Sequence, residues 1–184
     1  TGGIQFGNAG TSLSLLINSN NTITNQFRIN NTATNGAINV ASGTTTTISG
    51  QLTQDSSKVN TTKFGKDGAG TLIFNNATSD YNGQIQIGNG TVILGATAAL
   101  GTNTSTSARG VDLGLNVGDV SMTNNVSLLA SNGVTVGQSI YIATSTNSAT
   151  RTIGLTGNGT NTYNKDRKST RLNSSHSSVS RMPS

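Results

Sequence analysis

The sequence predicts an almost entirely β protein laid down in repeated coils, and three observations lead there. β-Branched residues are abundant, with 10 Val, 13 Ile and 30 Thr among 184. Such side chains fit a pleated surface and lose χ1 freedom in a helix. Short apolar runs alternate with Gly, Asn and Ser clusters, and a segment beginning at Thr71 recurs at Thr152. No window holds a 3.6-residue period, so no long helix is expected.

The runs fall at 3–7, 12–17, 26–29, 37–40, 44–48, 71–74, 84–87, 91–94, 111–115, 126–129, 134–136, 139–142 and 151–155. Each is bounded by turn formers, which is how short strands are punctuated. Alternation is clearest in Leu72-Ile73-Phe74, Ile85-Gln86-Ile87 and Val92-Ile93-Leu94. Period two places Leu72/Phe74, Ile85/Ile87 and Val92/Leu94 on a buried face and turns Gln86 outward. Asn-Gly pairs at 35/36, 82/83, 89/90, 132/133 and 158/159 fit either hairpin turns or the corners of a solenoid, since both use positive φ.

Repetition decides between them. Thr71-Leu72-Ile73-Phe74, a polar stretch and Tyr81-Asn82 reappear, with one insertion, as Thr152-Ile153-Gly154-Leu155, a polar stretch and Tyr163-Asn164. A strand, a polar corner and a Tyr-Asn used twice is what stacked coils require.

Composition excludes much chemistry. One hundred residues are Gly, Asn, Ser or Thr; Cys, Trp and Glu are absent; His176 and Pro183 stand alone of their kinds, near the end. Disulfides and thiolate metal sites are therefore excluded. Leu, Ile, Val and Phe total 40, and the charge on 1–164 is only +1, six cations against five Asp, so order is expected. The remaining +4 of the net +5 sits in 165–184, so the basic balance is no argument for a nucleic-acid partner of the body. The longest apolar run, Leu13–Ile17 with Ser14 inside it, is far too short to span a bilayer. Without an initiator Met or signal peptide at Thr1, the chain reads as an internal segment.

The stretch from Lys66 to Gly101 resembles the passenger-associated transport repeat, or autotransporter-associated β-strand repeat, of bacterial autotransporters. The family pattern is met by Lys66, Gly68, Gly70, Thr71, Leu72, Phe74, Tyr81, Gly83, Ile85, Gly90, Thr91, Leu94, Leu100 and Gly101. Gln84, Val92 and Phe74 are mild departures that keep the strand pattern. The partial copy at 152–164, which includes Tyr163, is cut short after Asn164. The resemblance implies a right-handed parallel β-helix over 1–164, exported through a C-terminal outer-membrane β-barrel and displayed at the cell surface. Coils of about 20 to 25 residues would make roughly seven. Residues 165–184 resemble translated sequencing-adaptor read-through and are set apart as a disordered tail.

Other motifs read as structure. Gly65–Thr71 lacks the order of a phosphate loop, and no helix pattern follows it, so it is read as the turn that begins a coil. Five Asp spread over 1–164 supply little for acid–base catalysis, and Asp67 and Asp80 are read as solvated turn residues. Tyr81 and Tyr163 share a repeat position and read as structural. Thr-x-Thr pairs at 22/24, 32/34, 102/104, 144/146 and 160/162 are too irregular to form one ladder. No catalytic, cofactor or metal residue is expected. The favoured function is a surface stalk supporting export and display of an effector region. The alternative is a secreted adhesin whose polar faces bind glycans or host proteins, with multiplicity offsetting weak contacts.

Overall fold

The computed structural model describes residues 3–6, 13–30, 36–54, 62–101, 110–144, 148–157, 159–163 and 168–169. Among these the chain forms 18 strands and no helix. It winds through three faces in turn. Face I takes β1 (Ile4–Phe6), face II takes β2 (Leu13–Ile17) and face III takes β3 (Asn21–Ile23). The cycle repeats as β4 (Phe27–Ile29), β5 (Gly36–Val40) and β6 (Thr45–Ile48), then β7 (Leu52–Gln54), β8 (Lys63–Asp67) and β9 (Thr71–Phe74). Two coils without a face I strand follow, β10 (Gln84–Ile87) with β11 (Gly90–Leu94) and β12 (Val111–Leu113) with β13 (Val126–Ala130). β14 (Thr135–Val136), β15 (Ile140–Ile142), β16 (Arg151–Leu155), β17 (Thr162–Tyr163) and β18 (Lys168–Ser169) complete the series.

Every strand pairs in parallel with its counterpart one coil away. Face II stacks seven strands and face III six. The molecule is thus a parallel β-solenoid. The Asn-Gly pairs at 89/90 and 132/133 are corners, leading from β10 to β11 and from β13 to β14. Neither flanking pair of strands bonds to itself, as a hairpin would. Asn35 and Asn158 lie outside the described residues, as do the Thr-x-Thr pairs at 32/34 and 102/104 and most of the tail.

Inward side chains stack into columns. Thr71 through Phe74 register on Thr91 through Leu94, and these in turn on β13 and β16. Leu72, Val92, Leu128 and Ile153 therefore form one column, and Phe74, Leu94, Ala130 and Leu155 the next. The strands that open the two copies of the repeat, 71–74 and 152–155, fall residue for residue in the same columns. Leu72, Phe74, Ile85, Ile87, Val92 and Leu94 are all buried. All four Phe join one cluster: Phe6 stacks on Phe27 and meets Phe64 edge-on at 5.6 Å, and Phe64 meets Phe74 at 6.3 Å. A narrow core of this kind needs few apolar residues, because each is covered above and below as well as across.

Asparagine accounts for the corners. Asn20 Oδ1 accepts from Thr45 N at 2.8 Å and Asn125 Oδ1 from Thr150 N at 2.8 Å, while Asn76 Nδ2 donates to Ser49 O and Asn161 Nδ2 to Ala130 O, both at 3.0 Å. Each bond spans one coil or slightly more. Backbone groups that leave the strand ladders are thereby satisfied at little cost in apolar residues.

The expectations for 65–71 and for Asp67 are corrected. The stretch 63–67 is strand β8, so the turn is confined to 68–70. Phe64 and Lys66 alternate inward like any strand pair, and both are fully buried. Asp67 is not a solvated turn residue: it ends β8, and its Oδ1 is buried without a hydrogen bond. Asp80 is exposed, as read. Gln86 faces away from the solenoid interior, yet a loop from a later coil covers it completely. Lys168 and Ser169, in the segment set apart as a tail, extend face II by pairing with Tyr141 and Ile142. An open strand edge accepts extended backbone of any sequence.

Candidate functional site

Of the residues singled out in the sequence, Lys66, Gly68, Gly70 and Gly90 meet at one place and Tyr81 and Gly83 at another, both between β8 and β11. The first is a corner. Lys66 registers between Ile38 and Ile87, both buried apolar residues. Its ammonium reaches the end of the strand and donates to three backbone carbonyls, Asp67 at 3.0 Å, Gly68 at 2.5 Å and Asn89 at 2.8 Å. Asp67 and Gly68 belong to one coil and Asn89 to the next, so the side chain staples two coils together. Gly90 closes the corner at φ +76°, and a Cβ there would fall within 3.0 Å of Gly68 O, Gly70 O and Lys66 Nζ. The Gly-rich segment thus brings carbonyls to a cation; it does not cradle an anion. Burial lowers the Lys66 pKa to about 8, an effect that Asp67 partly opposes. Burial also raises the Asp67 pKa against the pull of Lys66.

The second place is the crossing of face I. Tyr81 is fully buried, and its hydroxyl donates toward Thr62 O at 3.2 Å and Gln84 O at 3.1 Å. Burial pushes its pKa up, with the hydrogen bond to Thr62 opposing. Gly83 leaves the room: a Cβ there would sit inside 3.0 Å of the Tyr81 hydroxyl and of Thr62 Oγ1. Thr71, Leu72 and Phe74 lie on β9, Ile85 on β10, and Thr91 and Leu94 on β11, as stacking partners. Tyr163 stands apart on β17. The hydroxyl of its half-buried side chain donates to Gly154 O at 2.7 Å, so the repeated Tyr keeps its place after a face III strand but not its partners.

The sequence reading missed a polar cluster on the outside of face II. Gln84 Nε2 lies 2.5 Å from Asp112 Oδ2, and Gln86 Nε2 lies 3.3 Å from the same atom and 2.7 Å from Asp119 Oδ1. Lys63 forms an ion pair with Asp119. Gln86 and Asp112 are fully buried, beneath residues 114–122. The only advance signal is the succession of outward polar residues Lys63, Gln84, Gln86 and Asp112, which becomes a cluster only once the register of β8, β10 and β12 is known.

Among the described residues no three His, Cys, Asp or Glu gather as metal ligands, and no helix is long and apolar enough to cross a bilayer. No family model, curated protein or solved structure matches this chain.

Proposed function

We propose that residues 1–164 are part of the stalk of a bacterial autotransporter passenger, a β-solenoid that supports export and display of an effector region at the cell surface. The supporting observation is what the repeat residues do. Lys66 and Gly90 close one coil onto the next, Tyr81 and Gly83 lock the crossing, and the remaining motif positions fill core columns. The Lys66 and Tyr81 side chains are spent on bonds between segments, and Leu72, Phe74, Ile85 and Leu94 on the core, which is the task of a stalk. In this reading the segment is not an enzyme and its partner is the outer-membrane β-barrel of the longer chain. Leu72→Asp with Phe74→Asp places two carboxylates in adjacent columns and, joined to such a barrel, is expected to abolish surface display measured by antibody on intact cells. Display at the unsubstituted level would refute the stalk reading.

A further inference from the structure

The coil steps are uneven. Thr71 registers on Thr91, but Gly90 registers on Val126. Residues 114–122 belong to the longer step and add no strand to any face. They form a tight excursion whose one ladder contact is the Leu115–Ser121 bridge, with Asn116 Oδ1 accepting from Gly118 N and Val120 N at 3.0 Å each. This excursion lies across the outside of β8, β10 and β12.

Two sets of contacts hold it, and they differ in kind. At the tip, the Asp119 carboxylate meets Lys63 of β8 and Gln86 of β10, while Val117 packs so close above Gly65 that a Cβ there would fall within 3.0 Å of it. Asp119 sits at φ +59°, a conformation that costs a non-glycine residue about 1 kcal/mol. Val120 beside it is exposed. At the root, the Arg151 guanidinium of β16 donates to Met122 O and Asn124 O and fills the space left by Gly114. The root clamp therefore comes from the following coil.

We infer that residues 114–122 are a strap that opens and closes over face II independently of the solenoid, pinned at its tip by Asp119 and clamped at its root by Arg151. Only its first residue joins a parallel ladder, through Gly114 N to Ile87 O at 2.8 Å; none of the bonds of 115–122 does, so lifting these residues about that root breaks no coil-to-coil pairing. Opening empties the recess at Gly65 and exposes a row of amides and a carboxylate, Gln84, Gln86 and Asp112. Closed, the strap occupies that row with its own Val117 and Asp119.

The chain contains no cysteine, so Val117→Cys in the full chain gives a unique thiol beneath the closed strap. Its labelling by a maleimide is expected to be slow, and to speed up at least about tenfold when Asp119→Ala is added, as loss of a charge-assisted bond of 1.5–3 kcal/mol implies. Hydrogen exchange of 114–122 in Asp119→Ala and in Arg151→Met, both without the cysteine, should accelerate by a similar factor. Exchange of β10, β11 and β13 should stay unchanged. Two results would overturn the inference: strap exchange unaltered in both variants, or acceleration shared equally by the strands, which would make 114–122 part of one cooperative unit.

Discussion

Lys66 carries a measurable dependence on pH. In the unfolded chain its amine titrates near the ordinary 10.5; in the solenoid, burial lowers this to about 8. Below pH 8 the ammonium is charged in both states, and the folded state bears the whole cost of desolvating it. Between 8 and 10.5 the folded state gives up the proton while the unfolded chain keeps it. The unfolded state then binds more protons, and stability rises with pH. From pH 7 to 9.5 these two pKa values correspond to a gain of about 2 kcal/mol, or a rise of about 1 M in urea midpoint at a slope of about 2 kcal/mol/M. The assay is urea unfolding of the full chain followed by far-ultraviolet circular dichroism at pH 7, 8, 9 and 9.5. The comparison is Lys66→Met, which has nothing to titrate there and should lack the rise. Parallel curves for the two proteins would refute the argument, since the ammonium would then be as well solvated by its three carbonyls as by water.

Tyr81→Phe removes the hydroxyl from two carbonyls and should cost about 1–2 kcal/mol at pH 7 in the same assay. The raised Tyr81 pKa means that above pH 10 the unfolded tyrosine ionises first, so wild-type stability falls there; the variant should lose less across that range. Gly83→Ala should cost about 1–3 kcal/mol by crowding alone, and Gly83→Asn more. Gly133 has open space but φ +77°; there Ala should cost about 1–2 kcal/mol and Asn less, because Asn accepts the left-handed conformation. Thermal melts of the four variants separate crowding from backbone strain, and an identical Ala/Asn order at both sites would contradict the assignment.

Local alternation made the buried faces of β9, β10 and β11 legible, because a two-residue period needs no knowledge of neighbours. The corner role of Asn89-Gly90 and Asn132-Gly133 was legible only through the internal repeat, since hairpins use the same dipeptide. Lys66 was placed in a turn for a physical reason: Gly65, Asp67, Gly68 and Gly70 around it are turn formers, and only the carbonyls of Asp67, Gly68 and Asn89 make its burial in a strand tolerable. The alternation Phe64-Gly65-Lys66 was nonetheless a strand signal. Gln86 was correctly turned away from the interior, but its burial depends on a loop whose tip, Asp119, lies 33 residues further along the chain. No local pattern reports that distance. The strands of three residues or fewer at 21–23, 52–54 and 162–163 escaped because polar residues dominate them and pairing, not propensity, makes them strands.

The spacing of the ladders bears on how the molecule can grow. A strand finds its partner between 20 residues away, as Thr71 does at Thr91, and 36 residues away, as Gly90 does at Val126. The loop to be closed for each added coil is therefore set by the coil and not by the total length of chain. Since the entropy of closure rises only as the logarithm of loop size, about 0.6 kcal/mol for each doubling, the longest step costs little more than the shortest. Coils can be added to such a rod without a growing topological penalty on folding, and its reach becomes a quantity that gene duplication can adjust one turn at a time.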